Sequence, residues 1–140
     1  MSIAKNRETE GVARYALIDD DASFRTILKR AAGMQNINID VFESLDQLGA
    51  VGLLSRYDVV IVDYDLGESN GVDIGGFLDI HCKDTPMILV SAKDRRSEAH
   101  SWPKSIQQFI PKTMGYSYIL DQAERCAQYN KIQRPKFLLK

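Results

Sequence analysis

The chain reads as an α/β domain built on a doubly wound, five-stranded parallel sheet with helices on both faces. Three observations predict this. The runs LIDDD at residues 17–21 and VVIVDYDLG at residues 59–67 are short apolar stretches that stop abruptly at aspartates. A parallel strand buried on both faces reads as such a run, and reactive groups of open α/β sheets sit just beyond the strands' carboxyl ends. The third observation is that strand-like and helix-period segments alternate about five times, which implies parallel strands joined by right-handed crossovers.

The elements follow in order. Residues 1–13 are polar and read as a flexible N-terminal segment; the domain proper spans 14–130. Tyr15–Ile18 is the first strand. A helix from about Ala22 to Ala32 follows, with Phe24, Ile27, Leu28 and Ala31 on one face and Gly33 as its stop. Ile37, Ile39 and Val41 alternate with polar residues, as an outer strand does. Ser44 is placed to cap a helix carrying Leu45, Leu48, Val51 and Leu54. Val59–Val62 is the most apolar strand, and Gly71 opens a helix bearing Val72, Ile74, Phe77, Leu78 and Ile80. Pro86–Val90 forms the fourth strand, ending in Ser91. Residues 93–101 read as a short polar helix that Pro103 stops. Ile106–Ile110 is the fifth strand, and Tyr116–Tyr129 the last helix, with Ile119, Leu120, Ala123 and Ala127 inward.

Composition narrows the function classes. The 140 residues make one domain, and a net charge of −1 gives no reason to expect non-specific binding to nucleic acid or anionic membrane. No stretch approaches a membrane span. Cys82 and Cys126 show no metal spacing and read as reduced thiols of a cytoplasmic protein. His81 and His100 belong to no metal-binding pattern. Residues 131–140 hold Lys131, Arg134, Lys136 and Lys140 without an acid and read as a solvated basic tail. At the sheet edge, Asp19, Asp20 and Asp63 would meet. Three crowded carboxylates repel unless a hard cation joins them, and Mg²⁺ takes oxygen ligands. The pattern points to a magnesium site with a carboxylate nucleophile.

With those residues placed, the chain resembles the receiver domains of two-component response regulators, of the chemotaxis-regulator type. The resemblance runs from about Tyr15 to Tyr129 and implies the flavodoxin-like receiver fold. Asp19 and Asp20 match the family's acidic pair, and Asp63 its phosphoacceptor. Ser91 in LVSAK matches the Thr or Ser ending the fourth strand, and Lys112 in FIPK the lysine ending the fifth. Phe109 stands at the aromatic switch, three residues before the lysine, and Gly71, eight residues after Asp63, at a family glycine. The resemblance further implies Mg²⁺ held by Asp20, Asp63 and the backbone carbonyl of Asp65, with Asp19 acting through metal-bound water. It also implies a sensor histidine kinase or phosphotransfer protein as phosphodonor, and a downstream protein as the partner of a switching face. Catalysis would extend only to the domain's own phosphorylation and dephosphorylation.

The sequence departs from the family in places. Thr113, not proline, follows Lys112, and Pro111 precedes it. A cis bond before threonine would cost ~2.5–4 kcal/mol, so the loop should differ or be rearranged around Ile110–Pro111. Gly67 stands where proline is common. The segment SWPKSIQQFI departs from the family on the face where many relatives dimerise. Asp65 and Lys93, each two residues beyond a site residue, are expected to face each other as a gate over the site's mouth. Two rival readings stand beside this one. The motif DYD also suits a haloacid-dehalogenase-type phosphatase, with Asp63 as nucleophile and Asp65 as acid–base. A receiver-like module could also dock to a partner without phosphorylation. No DNA-binding or catalytic segment is read after residue 130, so the chain reads as a stand-alone receiver or as part of a longer regulator.

Overall fold

The computed structural model describes residues 12–67 and 69–133 of the chain. Strands β1 (Arg14–Ile18), β2 (Asn38–Phe42), β3 (Val59–Asp63), β4 (Met87–Ser91) and β5 (Ile106–Pro111) pair in parallel in the order β2-β1-β3-β4-β5. The two most apolar strands, β3 and β4, are buried at every position and lie inside the sheet, whereas alternating β2 lies at its edge. This is the predicted sheet. Residues 1–11 of the expected N-terminal segment and most of the basic tail lie outside the described residues.

One face of the sheet is covered by two regular helices, α1 (Ala22–Met34) and α4 (Tyr116–Gln133). Tyr15, Leu17, Ile61, Ile88, Val90 and Ile110 meet Phe24, Leu28, Ile119, Leu120 and Ala123 there. Asp21 caps α1, its side chain accepting from the Ser23 and Phe24 N–H groups at 3.0 and 3.2 Å. Gly33 does not stop α1; the helix passes through it to Met34, and Asn36 at φ 59° makes the turn. Asparagine tolerates that left-handed conformation better than most residues. Helix α4 reaches Gln133, past the boundary expected at residue 130.

The other face is covered in pieces. Ser44 caps a helix as predicted, its Oγ accepting from Gln47 N–H at 3.2 Å, but α2 (Leu45–Leu48) is a single turn. Gly49 at φ 107° ends it, and the chain continues as a 3-10 helix, Val51–Arg56. The break is chemical: glycines at 49 and 52 remove the propensity that the leucine spacing implied. Leu48 and Leu54 still reach the same core. Helix α3 (Gly71–His81) follows, capped by Asn70, with Ile74 and Leu78 buried but Phe77 and Ile80 exposed. The expected polar helix at 93–101 is a 3-10 helix at Arg96–Ser101 with no buried residue, because nothing on it can pack. Among the described residues no helix is long and apolar enough to cross a membrane.

Candidate functional site

Strand alternation decides where each site residue points. Leu17 and Ile61 face α1 and α4, so Asp19 and Asp63, two residues further on, emerge on that side of the sheet's carboxyl edge. Backbone bonds from Asp19 N to Phe42 O (3.0 Å) and from Tyr64 N to Val90 O (2.8 Å) carry the pairing past the strand ends. Asp19 is fully buried, Asp63 nearly so, and Asp20 is exposed. One carboxylate oxygen of each lies within 4.8 Å of the others. The three residues read as a cluster from the sequence are thus together.

Lys112 joins them. Its Nζ lies 2.7 Å from Asp19 Oδ2 and 3.4 Å from Asp63 Oδ1, and 4.3 Å from the centroid of the Phe24 ring. It reaches there from a 3-10 turn, Lys112–Met114, and no cis peptide bond occurs among the described residues. Asp19 Oδ1 accepts from the Asp21 N–H at 2.8 Å, and Arg25 Nη1 donates to the Asp19 carbonyl at 2.8 Å. Asp19 Oδ2 is buried and makes no directed hydrogen bond; its partner is the Lys112 ammonium alone.

Burial first, and then the nearby Asp19 charge, push the Asp63 carboxyl up to about 6 against the opposing pull of Lys112. Burial likewise raises Asp19 against the pull of Lys112. For Lys112 burial acts downward, but the two carboxylates more than offset it and hold the ammonium above its usual range. Two buried carboxylates are therefore served by one cation. An all-oxygen donor set with excess negative charge and a buried acceptor lacking a directed bond fits a hard divalent ion such as Mg²⁺.

Around this cluster the other predicted residues are placed differently. Ser91 ends β4 beside β3, fully buried, with its Oγ accepting from the Lys93 N–H at 3.1 Å. Phe109 is half-buried against the second core, its ring 5.7 Å from that of Trp102. Gly71 has a steric reason to be glycine: a Cβ there would lie 2.6 Å from the Asp63 carbonyl oxygen and 2.5 Å from Leu89 Cδ1. The Asp65–Lys93 pair does not form. Asp65 is exposed and pairs instead with Arg95, Nη2 to Oδ2 at 3.6 Å. The Lys93 backbone N–H donates to Ser91 Oγ.

Sequence reasoning missed three contributors. Arg25 was unremarked, although its place in the first turn of α1 brings it near Asp19. Phe24 was read as core only, whereas its ring also lies under Lys112. The group Tyr64, Arg95 and Glu98 had no sequence signal, because its parts come from two loops. Asp19 and Asp20, which the phosphatase reading left without a role, stand beside Asp63.

Residues 16–124 match the family described as the response regulator receiver domain. Transcriptional regulatory protein ResD of Bacillus subtilis is 30% identical over 125 residues, covering 84% of this chain and 52% of ResD. The chain thus spans about half the length of that curated relative. The response regulator protein TrrA from Thermotoga maritima, solved in complex with Mg(2+)-BeF, superposes with a TM-score of 0.71 at 22% identity, covering 82% of this chain and 99% of that one. A CheY-like receiver domain protein from Methanospirillum hungatei gives 0.76 at 11% identity, covering 89% and 100%. At those identities the two structures speak for the fold alone.

Proposed function

The chain belongs to the response regulator receiver domain family, and from that premise we propose that it is a phosphoacceptor working with Mg²⁺ and phosphorylated on Asp63. The observation that carries the reading is the convergence of Asp19, Asp20 and Asp63 on one point with Lys112 against two of them. A sensor histidine kinase or phosphotransfer protein supplies the phosphoryl group. An Asp63 carboxylate oxygen attacks phosphorus, the bond from phosphorus to the donor's imidazole nitrogen breaks, and that nitrogen keeps the electron pair.

Asp20, Asp63 and the Asp65 backbone carbonyl would hold the ion, and Asp19 would act on it through water. When bound, Mg²⁺ supplies positive charge to the phosphoryl oxygens and relieves the carboxylate repulsion. Lys112 adds a point charge to the same oxygens. Ser91, whose Oγ accepts from the Lys93 N–H, turns its own O–H to donate a hydrogen bond to a phosphoryl oxygen. That draws the loop after β4 inward, and Phe109 turns into the space vacated, altering the face presented to a downstream protein. TrrA's complex with Mg(2+)-BeF supports the cation part of this reading. A cytoplasmic location goes with it, where the two free cysteines stay reduced.

Mass spectrometry after treatment with acetyl phosphate and Mg²⁺ tests the proposal. Wild type should gain one adduct of ~80 Da, and Asp63→Asn and Asp20→Ala should gain none. An adduct that persists in Asp63→Asn, or no adduct on wild type, overturns the assignment.

A further inference from the structure

Four side chains outside the carboxylate cluster join the two loops that border it. Tyr64 follows Asp63 directly, and Arg95 lies four residues after Ser91. The Arg95 guanidinium sits 3.8 Å from the centroid of the Tyr64 ring. It pairs with Asp65 and with Glu98, each at 3.6 Å, and the Tyr64 hydroxyl donates to Glu98 Oε1 at 3.0 Å. Arg95 is only 21% exposed, its Nε is buried without a hydrogen bond, and neighbouring Asp94 is taken by Arg96. A guanidinium held on a ring face with both pairs at long range is sandwiched rather than tightly bonded, and it can be released at small cost.

We infer that Tyr64, Arg95, Asp65 and Glu98 form a clasp that closes one side of the site's mouth and sets how fast phosphodonor and water reach Asp63. Strands β3 and β4 are adjacent, so the loops that leave their carboxyl ends after Asp63 and after Ser91 run side by side, and the clasp ties these two loops together. The clasp also restrains the loop carrying Lys93, whose N–H holds Ser91 Oγ. Arg95 touches no reacting atom. It is a positioning residue, acting through the loops on hydrolysis: a water oxygen bonds to phosphorus, the bond from phosphorus to the Asp63 oxygen breaks, and the water's proton goes to solvent. Asp63 carboxylate and inorganic phosphate result. This inference rests on the phosphoacceptor reading, since it concerns the lifetime of the same adduct.

Formation and decay of the adduct, followed by mass spectrometry with acetyl phosphate and Mg²⁺, test it on wild type, Arg95→Ala, Tyr64→Leu and their double variant. Each single change should speed both formation and decay about three- to ten-fold, the range that loss of a partly desolvated cation–π contact allows. The double variant should be no faster than either single one, because both remove one contact. Tyr64→Phe, which keeps the ring but loses the bond to Glu98, should fall between. A merely structural role would shift the denaturation midpoint without producing this non-additive pattern in rate. Wild-type rates in all variants, or additive effects in the double variant, overturn the clasp. Absence of any adduct on wild type instead overturns the phosphoacceptor reading.

Discussion

The two faces of the sheet are covered in different ways, and the site divides between them. On one face, helices of 13 and 18 residues lie over a continuous core. On the other, one turn of helix, the 3-10 helix Val51–Arg56 and α3 share the same task, and the 3-10 helix Arg96–Ser101 adds no buried residue. Asp19, Asp63 and Lys112 belong to the regular face, and Lys112 lies over a ring of α1. Tyr64, Phe109 and Arg95 belong to the irregular one, and Arg95 lies over a ring as well. The inner cation is held at 2.7 Å by a fully buried carboxylate, while the outer one has only 3.6 Å contacts to side chains 64% and 42% exposed. The buried, closely paired charges thus stand on the side covered by long helices, and the more exposed, loosely paired ones stand where the covering elements are short.

The largest effect that tests this contrast comes from the core. Leu28 and Leu54 are both fully buried, one in the middle of α1 and the other in a 3-10 helix. Leu28→Ala should cost about 3–5 kcal/mol and Leu54→Ala about 2–3 kcal/mol, because short segments collapse onto a cavity more readily than a helix does. Denaturant unfolding measures both. Equal costs, or a larger one at Leu54, would break the comparison.

Next in size is the glycine that seats α3 against the site. Gly71→Ala forces a methyl into the Asp63 carbonyl and Leu89 and should cost about 1–3 kcal/mol. It should also slow adduct formation by displacing the nucleophile's backbone. Gly76→Ala on the same helix, where a Cβ meets nothing within 4 Å, should instead be neutral or stabilise by up to ~1 kcal/mol. Matching losses for the two would show that helix propensity, not close approach, governs α3.

The smallest effect is electrostatic and separates the inner cation site from the outer clasp. The folded-state pKa of Asp63 is raised from 3.8 to about 6, so its proton favours the folded state. Its contribution is complete below about 3.8 and is lost as pH rises through about 6. Metal-free Asp63→Asn should therefore be more stable than wild type by about 1–2 kcal/mol at pH 7.5, a gain that shrinks toward pH 4. Saturating Mg²⁺ should stabilise wild type and erase the difference. Thermal melts across pH with and without Mg²⁺ give the answer, and a pH-independent difference would mean that the buried charge is relieved by Lys112 alone.

Much of this was legible in the chain itself, for reasons particular to each element. An apolar strand has to stop where its charges begin, so LIDDD and VVIVDYDLG located the strand ends and the three aspartates at once. Helix α4 was readable because Ile119, Leu120, Ala123 and Ala127 repeat at helical spacing, and all four are buried. The regular face failed only at helix ends, where α1 runs through Gly33 and α4 past residue 130; the larger failures fall on the irregular face. Leucine spacing over 45–54 implied one helix, but Gly49 and Gly52 divide it. Spacing from the site predicts a gate between Asp65 and Lys93, whereas Asp65 pairs with Arg95. Counting along the chain cannot tell which of several neighbouring basic residues a loop turns toward its neighbour.

The sequence by itself determined the fold class and the acidic edge of the sheet where Asp19, Asp20 and Asp63 meet, because periodicity and strand termination are local properties of a chain. The tertiary structure alone decided that Lys112 reaches two carboxylates over the ring of Phe24, that Gly71 abuts the Asp63 carbonyl, and that Arg95 stacks on Tyr64. The first and last join residues far apart in sequence, and such contacts exist only once parallel strands from different parts of the chain have been brought side by side; the second needs the turn after β3 to bring α3 back onto the strand's end.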